Sequence, residues 1–268
     1  MRLRLFQVDA FADRVFSGNP AAVVPLETWL DEALMQRIAN ENNLAETAFF
    51  VGDDDAAGCF EIRWFTPATE VPLCGHATLA SAAVIDRTLR PAHWPLKFRS
   101  ASGELRVART NDGFELDFPA NEPEPVRAPP GLAEALGAEA GECLRTRDFY
   151  LLALASESAV AGLTPDFRRL REITDHGVIV TAPGERVDFV SRFFAPGIGI
   201  DEDPVTGAAH CALTPYWSRR LNKLLLSARQ VSRRGGEVAC ESRGDRVLLT
   251  GRAAFYLEGT ITLPAHSP

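Results

Sequence analysis

The sequence predicts a mixed α/β fold made of two similar halves. Two observations carry that expectation. The first is an internal echo: a strand ending in Phe65-Thr66-Pro67 leads to a glycine-led, alanine-rich helix, Gly75-His76-Ala77-Thr78-Leu79-Ala80, and Phe194-Ala195-Pro196 leads likewise to Thr206-Gly207-Ala208-Ala209-His210. Recurrence of this kind, with similar elements around it, points to a duplicated unit. The second is a proline-rich acidic stretch between Pro119 and Pro130. It can continue neither helix nor sheet and reads as a linker. It sets the halves at residues 1–119 and 120–268.

The elements follow in order. Leu3–Asp9 alternates apolar and polar residues and reads as a strand, Ser17-Gly18-Asn19-Pro20 as a turn, and Ala21–Val24 as a second strand. Leu30, Leu34, Ile38 and Ala39 fall at helical spacing, so Asp31–Asn40 reads as an amphipathic helix. Thr47–Val51 and Phe60–Thr66 read as strands, and Gly75–Ile85 as a buried helix, because it is small and apolar. Leu96–Ser100, Glu104–Arg109 and Phe114–Phe118 complete the first half as strands. In the second, Tyr150–Ala155, Gly177–Thr181 and Val187–Phe194 read as strands, with a helix around Phe167, Leu170 and Ile173. A helix begins near Thr206-Gly207. Strands follow at Leu224–Val231, Glu237–Glu241, Arg246–Thr250 and Ala253–Leu263.

Composition narrows the function classes. The 268 residues are 46% hydrophobic and 24% charged, as in a folded globular chain. Such a chain buries roughly 70–75% of its unfolded surface and needs no disulfide or metal to hold together. The net charge of -8 opposes nucleic acid and an anionic membrane. The five cysteines are irregularly spaced without a C-x-x-C pair, which suits reduced thiols. The N-terminal apolar stretch is too short for a signal peptide, and Ala77–Ile85 is too short to span a bilayer, so the cytoplasm is the expected location. G-x-G-x-x-G, G-x-x-x-x-G-K-[ST] and G-x-S-x-G are all missing, which leaves nucleotide cofactors and α/β-hydrolase chemistry without a motif.

What remains is a pair of glycine-led helix starts. A helix N-terminus offers unpaired N–H groups and positive potential, and glycine lets a ligand approach the backbone. If both face one cleft, they would hold a carboxylate without arginine. The same glycines would equally serve tight strand-to-helix turns. His76, at a helix start, is expected to stay neutral. Asp203 suits the dipole of the helix it precedes. Cys74 stands open to two further readings, a nucleophile activated by the helix N-terminus or a metal ligand with His76, His210 and Cys211. Glu46, in a turn before a strand, is by local sequence an ordinary acid.

Together these residues resemble the PhzF-like family, named for an isomerase of phenazine biosynthesis. Four blocks carry the likeness, in order along nearly the whole chain: Gln7-Val8-Asp9-Ala10-Phe11 with Gly18-Asn19-Pro20-Ala21-Ala22-Val23; Asn43-Leu44-Ala45-Glu46-Thr47-Ala48-Phe49; Phe65-Thr66-Pro67 with Leu73-Cys74-Gly75-His76-Ala77-Thr78; and Arg192-Phe193-Phe194-Ala195-Pro196 with Glu202-Asp203-Pro204-Val205-Thr206-Gly207. The resemblance implies a diaminopimelate epimerase-like fold, each half a curved, mostly antiparallel sheet around a central helix, with the active site between the halves. It implies Glu46 as the acid–base residue, with His76 and Asp203 assisting. Asn19, Gly75, Thr206, Gly207 and Ala208 would bind a small carboxylate-bearing substrate. No cofactor and no metal are implied, and the chain would act as a homodimer. A carboxylate brought by burial toward working pH suits such a proton shift. Two departures stand out. Ala208 replaces a serine common in the family, which removes a hydroxyl donor. Epimerases of this fold place a thiol before each central helix; Cys74 fills the first place and Asp203-Pro204 the second, which disfavours a two-thiol racemase. The alternatives are a racemase or epimerase using Cys74, or a binding protein without turnover.

Overall fold

The computed structural model describes residues 1–53, 57–90 and 93–264. The strands and helices are, in chain order, β1 (Arg2–Ala10), β2 (Asn19–Leu26), α1 (Glu32–Asn42), β3 (Glu46–Gly52), β4 (Cys59–Phe65), β5 (Glu70–Val71), α2 (Gly75–Leu89), β6 (Leu96–Ser100), β7 (Gly103–Thr110) and β8 (Gly113–Pro119). They continue as β9 (Glu124–Pro125), α3 (Leu132–Leu136), β10 (Glu142–Arg145), β11 (Phe149–Ala153), α4 (Glu157–Ala161), α5 (Phe167–Ile173), β12 (Gly177–Pro183), β13 (Phe189–Ala195) and β14 (Ile200–Asp203). The chain ends with α6 (Gly207–Leu221), β15 (Leu225–Gln230), β16 (Gly236–Arg243), β17 (Arg246–Gly251) and β18 (Ala253–Thr262). No described helix is long and apolar enough to cross a membrane.

The chain forms two compact units. Unit 1 is Met1–Asp117 with the segment from Thr250 onward, and unit 2 is Phe118–Leu249. The expected second half, 120–268, therefore ends too late. The reason is strand pairing: β18 runs antiparallel to β1 from Arg2↔Thr262 to Ala10↔Ala253, with one bulge at Gln7/Val8. The linker also differs from expectation, since β9 pairs antiparallel with β10 through Leu144↔Pro125 and Arg145↔Glu124. The proline fits because it lies in a two-residue strand with little ladder to interrupt.

The two units repeat one topology. In unit 1, β1 and β2 are antiparallel, β2 and β3 parallel, β3 and β4 antiparallel, β4 and β6 parallel, and β6 and β7 antiparallel. In unit 2 the same sequence of directions joins β10 to β11, β11 to β12, β12 to β13, β13 to β15 and β15 to β16. Register makes the match residue-specific. Thr47↔Phe65 in one unit corresponds to Val178↔Phe194 in the other. The opening residues of β3 and β12, Glu46 and Gly177, are then equivalent. Gly177 has no room for a side chain: a Cβ there would lie 2.4 Å from Phe193 Cζ. The repeat thus carries an acid at this position in unit 1 only.

Each unit packs its sheet on a helix. Residues 76–85 of α2 are all buried, as are most of α6, which suits helices that are apolar or small on every face. Pro215 sits inside α6 and cannot donate to the Cys211 carbonyl. The backbone N–H of Asn121 donates to that oxygen instead, at 3.0 Å, so the helix continues without an orphaned acceptor.

Candidate functional site

In unit 1 three strand or helix starts converge. β2 begins at Asn19 and β3 at Glu46, and the parallel register Ala21↔Glu46 sets these two ends side by side. α2 packs on β1, β2 and β3. Its first turn holds Gly75 and His76, with Cys74 as N-cap residue. His76 is therefore placed among the other three. Its Nε2 lies 3.0 Å from Glu46 Oε2, and the two side chains are only 7% and 12% exposed. The approach is a close charge contact bent away from the straight hydrogen-bond direction. On the other edge of the ring, Nδ1 lies 3.3 Å from Asn19 Nδ2 and 3.5 Å from Cys74 Sγ. Asn19, expected to bind substrate, thus has His76 as a neighbour.

Charge follows from this packing. Burial pushes the Cys74 thiol up, and the negative charge of Glu46 adds to the effect. Burial disfavours imidazolium at His76, but negative charge at Cys74 and Glu46 outweighs it and holds that group well above its ordinary value. The expectation of a neutral His76 fails for this reason: negative charge at Cys74 and at Glu46, the latter 3.0 Å away, outweighs burial and the helix dipole.

Donor atoms of Glu46, Cys74 and His76 all lie within 4.8 Å of one another, close enough to suggest a cation. The ring argues otherwise. Glu46 sits at Nε2 and Cys74 at Nδ1, whose lone pairs point apart, so one ion cannot take both contacts through this ring orientation. The set fits proton traffic better than coordination. The earlier metal grouping of Cys74 and His76 with His210 and Cys211 draws on both units, His210 and Cys211 being in α6.

In unit 2 the expected residues gather at the start of α6. Thr206 is the N-cap, Gly207 is buried in the first turn, and Ala208 beside it is exposed. Thr206 Oγ1 donates to Asp203 Oδ2 at 2.5 Å. Gln230, fully buried, accepts from Thr206 N at 2.9 Å and donates to the Asp203 carbonyl at 2.6 Å. Thr206 rather than Asp203-Pro204 matches Cys74, since each is the N-cap of its unit's central helix. The two-thiol arrangement is missing for that reason. No side chain caps α2 or α6, which leaves first-turn amides open to an anionic group.

The sequence reading missed the residues that brace these helix starts. Ser102 Oγ donates to the Pro72 carbonyl at 2.8 Å, and Ser232 Oγ to the Pro204 carbonyl at 2.9 Å. Each serine lies two residues past its strand, β6 or β15, and each proline two residues before its N-cap. The signal was present as a repeated Ser-and-Pro spacing. Only the pairing of the strands showed what it does.

One further match has a measurable consequence. Thr78 Oγ1 donates to the Cys74 carbonyl at 2.6 Å, and in the equivalent place His210 Nδ1 lies 2.8 Å from the Thr206 carbonyl. His210 is fully buried, and burial lowers its pKa from 6.5 to about 4. Below pH 6.5 the unfolded chain therefore takes up the proton first, and stability falls as the pH drops toward 4. The loss approaches roughly 3 kcal/mol for a shift of this size. His210→Thr, copied from the Thr78 arrangement, should remove that component. Urea unfolding of both proteins across this pH range checks it, and a constant difference between them would refute it.

Comparison with known proteins agrees with this architecture. A family model described as "Phenazine biosynthesis-like protein" matches residues 8–259. An uncharacterized isomerase of Pseudomonas aeruginosa is 53% identical over 263 residues, 98% of this chain and 100% of that protein. The crystal structure of a phenazine biosynthesis protein of the PhzF family from Enterococcus faecalis superposes with a TM-score of 0.94 at 48% identity, over 98% of this chain and 100% of that one. A predicted epimerase from Pseudomonas aeruginosa, 22% identical with a TM-score of 0.75 over 98% and 100% of the two chains, shares the fold. The expected diaminopimelate epimerase-like α/β fold is thus present. With a match over nearly its whole length, the chain is an isomerase-type enzyme and belongs to the PhzC-PhzF family of phenazine biosynthesis-like proteins.

Proposed function

We propose that the protein is a cofactor-independent isomerase that moves a proton on a small carboxylate-bearing molecule, with Glu46 as the acid–base group. The observation that carries this reading is the buried contact of Glu46 Oε2 with His76 Nε2 at 3.0 Å, at the uncapped start of α2. A carboxylate so placed can take a proton from one carbon and return it to another. His76 holds it in place and supplies positive charge that favours the developing enolate. The first-turn amides at Gly75 and His76 are suited to the substrate's own carboxylate. Asp203, tied to Thr206 and braced by Gln230, is proposed as an assisting group.

The test is proton exchange. Small cyclic and amino carboxylates are incubated in D2O with the protein and followed by proton NMR and mass spectrometry. The reading requires deuterium to enter at least one compound, and to do so through Glu46. Binding of a compound without exchange would favour the non-catalytic alternative. The homodimer is part of the same proposal, and sedimentation that gives a monomer at micromolar concentration would remove it.

A further inference from the structure

The proposed mechanism uses one edge of the His76 ring, and the structure places a second proton-bearing group on the other. Cys74 Sγ lies 3.5 Å from Nδ1, and Glu46 Oε2 lies 3.0 Å from Nε2. Cys74 is 6% exposed and His76 5%. An imidazole between two such groups can receive a proton at one nitrogen as it releases one from the other. Asn19 is fully buried and lies 3.3 Å from the same Nδ1. An amide can offer either N–H or C=O to that nitrogen, whichever its protonation state requires.

We infer that Cys74 is a second proton-carrying group of this site, exchanging its proton with Glu46 through His76. This rests on the Glu46 reading above and deepens it. The step balances within the triad. It starts from the form in which the imidazolium has passed its Nδ1 proton to Cys74: a thiol, an imidazole protonated at Nε2 and a carboxylate. The S–H bond breaks as a bond to hydrogen forms at Nδ1. The Nε2–H bond breaks as O–H forms on Glu46, after a rotation of the carboxylate brings Oε2 into line with Nε2–H. The result is a thiolate, an imidazole protonated at Nδ1 and a carboxylic acid, with no proton gained or lost. The midpoint is an imidazolium flanked by thiolate and carboxylate, the state that the two anionic neighbours of His76 stabilise.

A site with two such groups can remove a proton from carbon with one and return a proton with the other. The relay run in reverse then returns the proton from Glu46 to Cys74 once the ring carries its own proton on Nδ1, so a shift of the His76 proton from Nε2 to Nδ1 is part of each cycle. The substrate class this fits is a carbon acid whose acidic C–H is alpha to a carboxylate, or conjugated with it, and whose two proton-transfer positions differ in face or in carbon. A thiol and a carboxyl group are different acids, which gives each direction of transfer its own acid and base. This differs from a two-thiol site, since Thr206 stands where a second thiol would be.

The test has two arms. In the first, alkylation of Cys74 by iodoacetamide at neutral pH is timed by peptide mass spectrometry. Glu46→Gln removes the charge that disfavours the thiolate and should raise the rate about tenfold. His76→Asn removes the imidazolium and should lower it about tenfold, one factor of ten being one pKa unit. Rates that change less than twofold, or in the same direction in both variants, overturn the relay. Absence of reaction in all three proteins counts as no change. Thermal unfolding of each variant verifies that the comparison is between folded proteins.

In the second arm, the compounds that exchange in D2O are given to Cys74→Ala and Cys74→Ser. Both should retain exchange at the position served by Glu46 but lose interconversion of substrate and product at least tenfold. Full interconversion in both overturns the inference. The two proposals fail separately. Exchange that survives Glu46→Gln removes the Glu46 mechanism, whereas exchange that needs Glu46 but ignores Cys74 removes only the relay.

Discussion

Glu46→Gln is expected to cut deuterium exchange into any substrate by about 10²–10⁴, the range for loss of a positioned acid–base group. The substitution keeps the shape of the side chain and leaves an amide oxygen to face His76 Nε2, so the change falls on the proton rather than on the packing. His76 responds as well. Its elevation depends on negative charge at Cys74 and Glu46, opposed by burial. A group raised in the folded state stabilises the fold fully below its unfolded value near 6.5, and that contribution is lost as the pH rises through the higher folded value. In Glu46→Gln the part of this component owed to Glu46 should vanish while the larger part owed to Cys74 stays, and chemical denaturation above and below neutral pH would detect it. Exchange rates within tenfold of the wild type would show that Glu46 does not carry the proton.

The second large effect is structural and lies at Arg192 in unit 2. Its guanidinium makes paired contacts with Glu202, Nε to Oε1 at 2.7 Å and Nη2 to Oε2 at 2.9 Å. Nη1 donates to the Leu163 carbonyl at 2.8 Å, and the cation lies 4.9 Å from the Phe194 ring centre. The side chains of Arg192 and Glu202 are 11% and 20% exposed, so the pair is mostly desolvated. Arg192→Ala leaves Glu202 without its cation and the Leu163 carbonyl without its donor. The expected cost is about 3–5 kcal/mol, as for one partner lost from a buried pair. Replacing both partners together, Arg192→Met with Glu202→Leu, should recover most of it, because neither leaves a buried charge behind. Guanidinium unfolding of the single and double variants separates the cases, and a single-variant loss below about 1 kcal/mol would show that water enters and screens the pair.

Much of the secondary structure was legible because it is periodic. The longer strands and both central helices appear within a few residues of where alternation and helical spacing place them. The short elements were not: β5, β9, β10, β14, α3 and α4 have two to five residues each, too few to show a period. Chain order also hid β18, whose partner β1 is at the opposite end of the sequence. The site residues of unit 1 were named from a family likeness. Local sequence singles out Gly75, His76 and Cys74 at a glycine-led helix start but not the other two, since Glu46 reads as a turn acid and Asn19 as a turn amide.

By itself, then, the sequence determined that there are two similar halves, where their central helices begin, and which side chains stand near those beginnings. These are local properties, set by the spacing of apolar residues and by glycine at the helix starts. Tertiary structure alone decided that Glu46 and Cys74 occupy opposite edges of one imidazole, that Thr206 is the counterpart of Cys74, and that Gln230, Ser102 and Ser232 brace the helix starts. It also decided that His76 is held toward its charged form. The physical reason is that charge and hydrogen bonding depend on which groups meet within about 3–4 Å, and those groups come from strands and helices far apart in the chain.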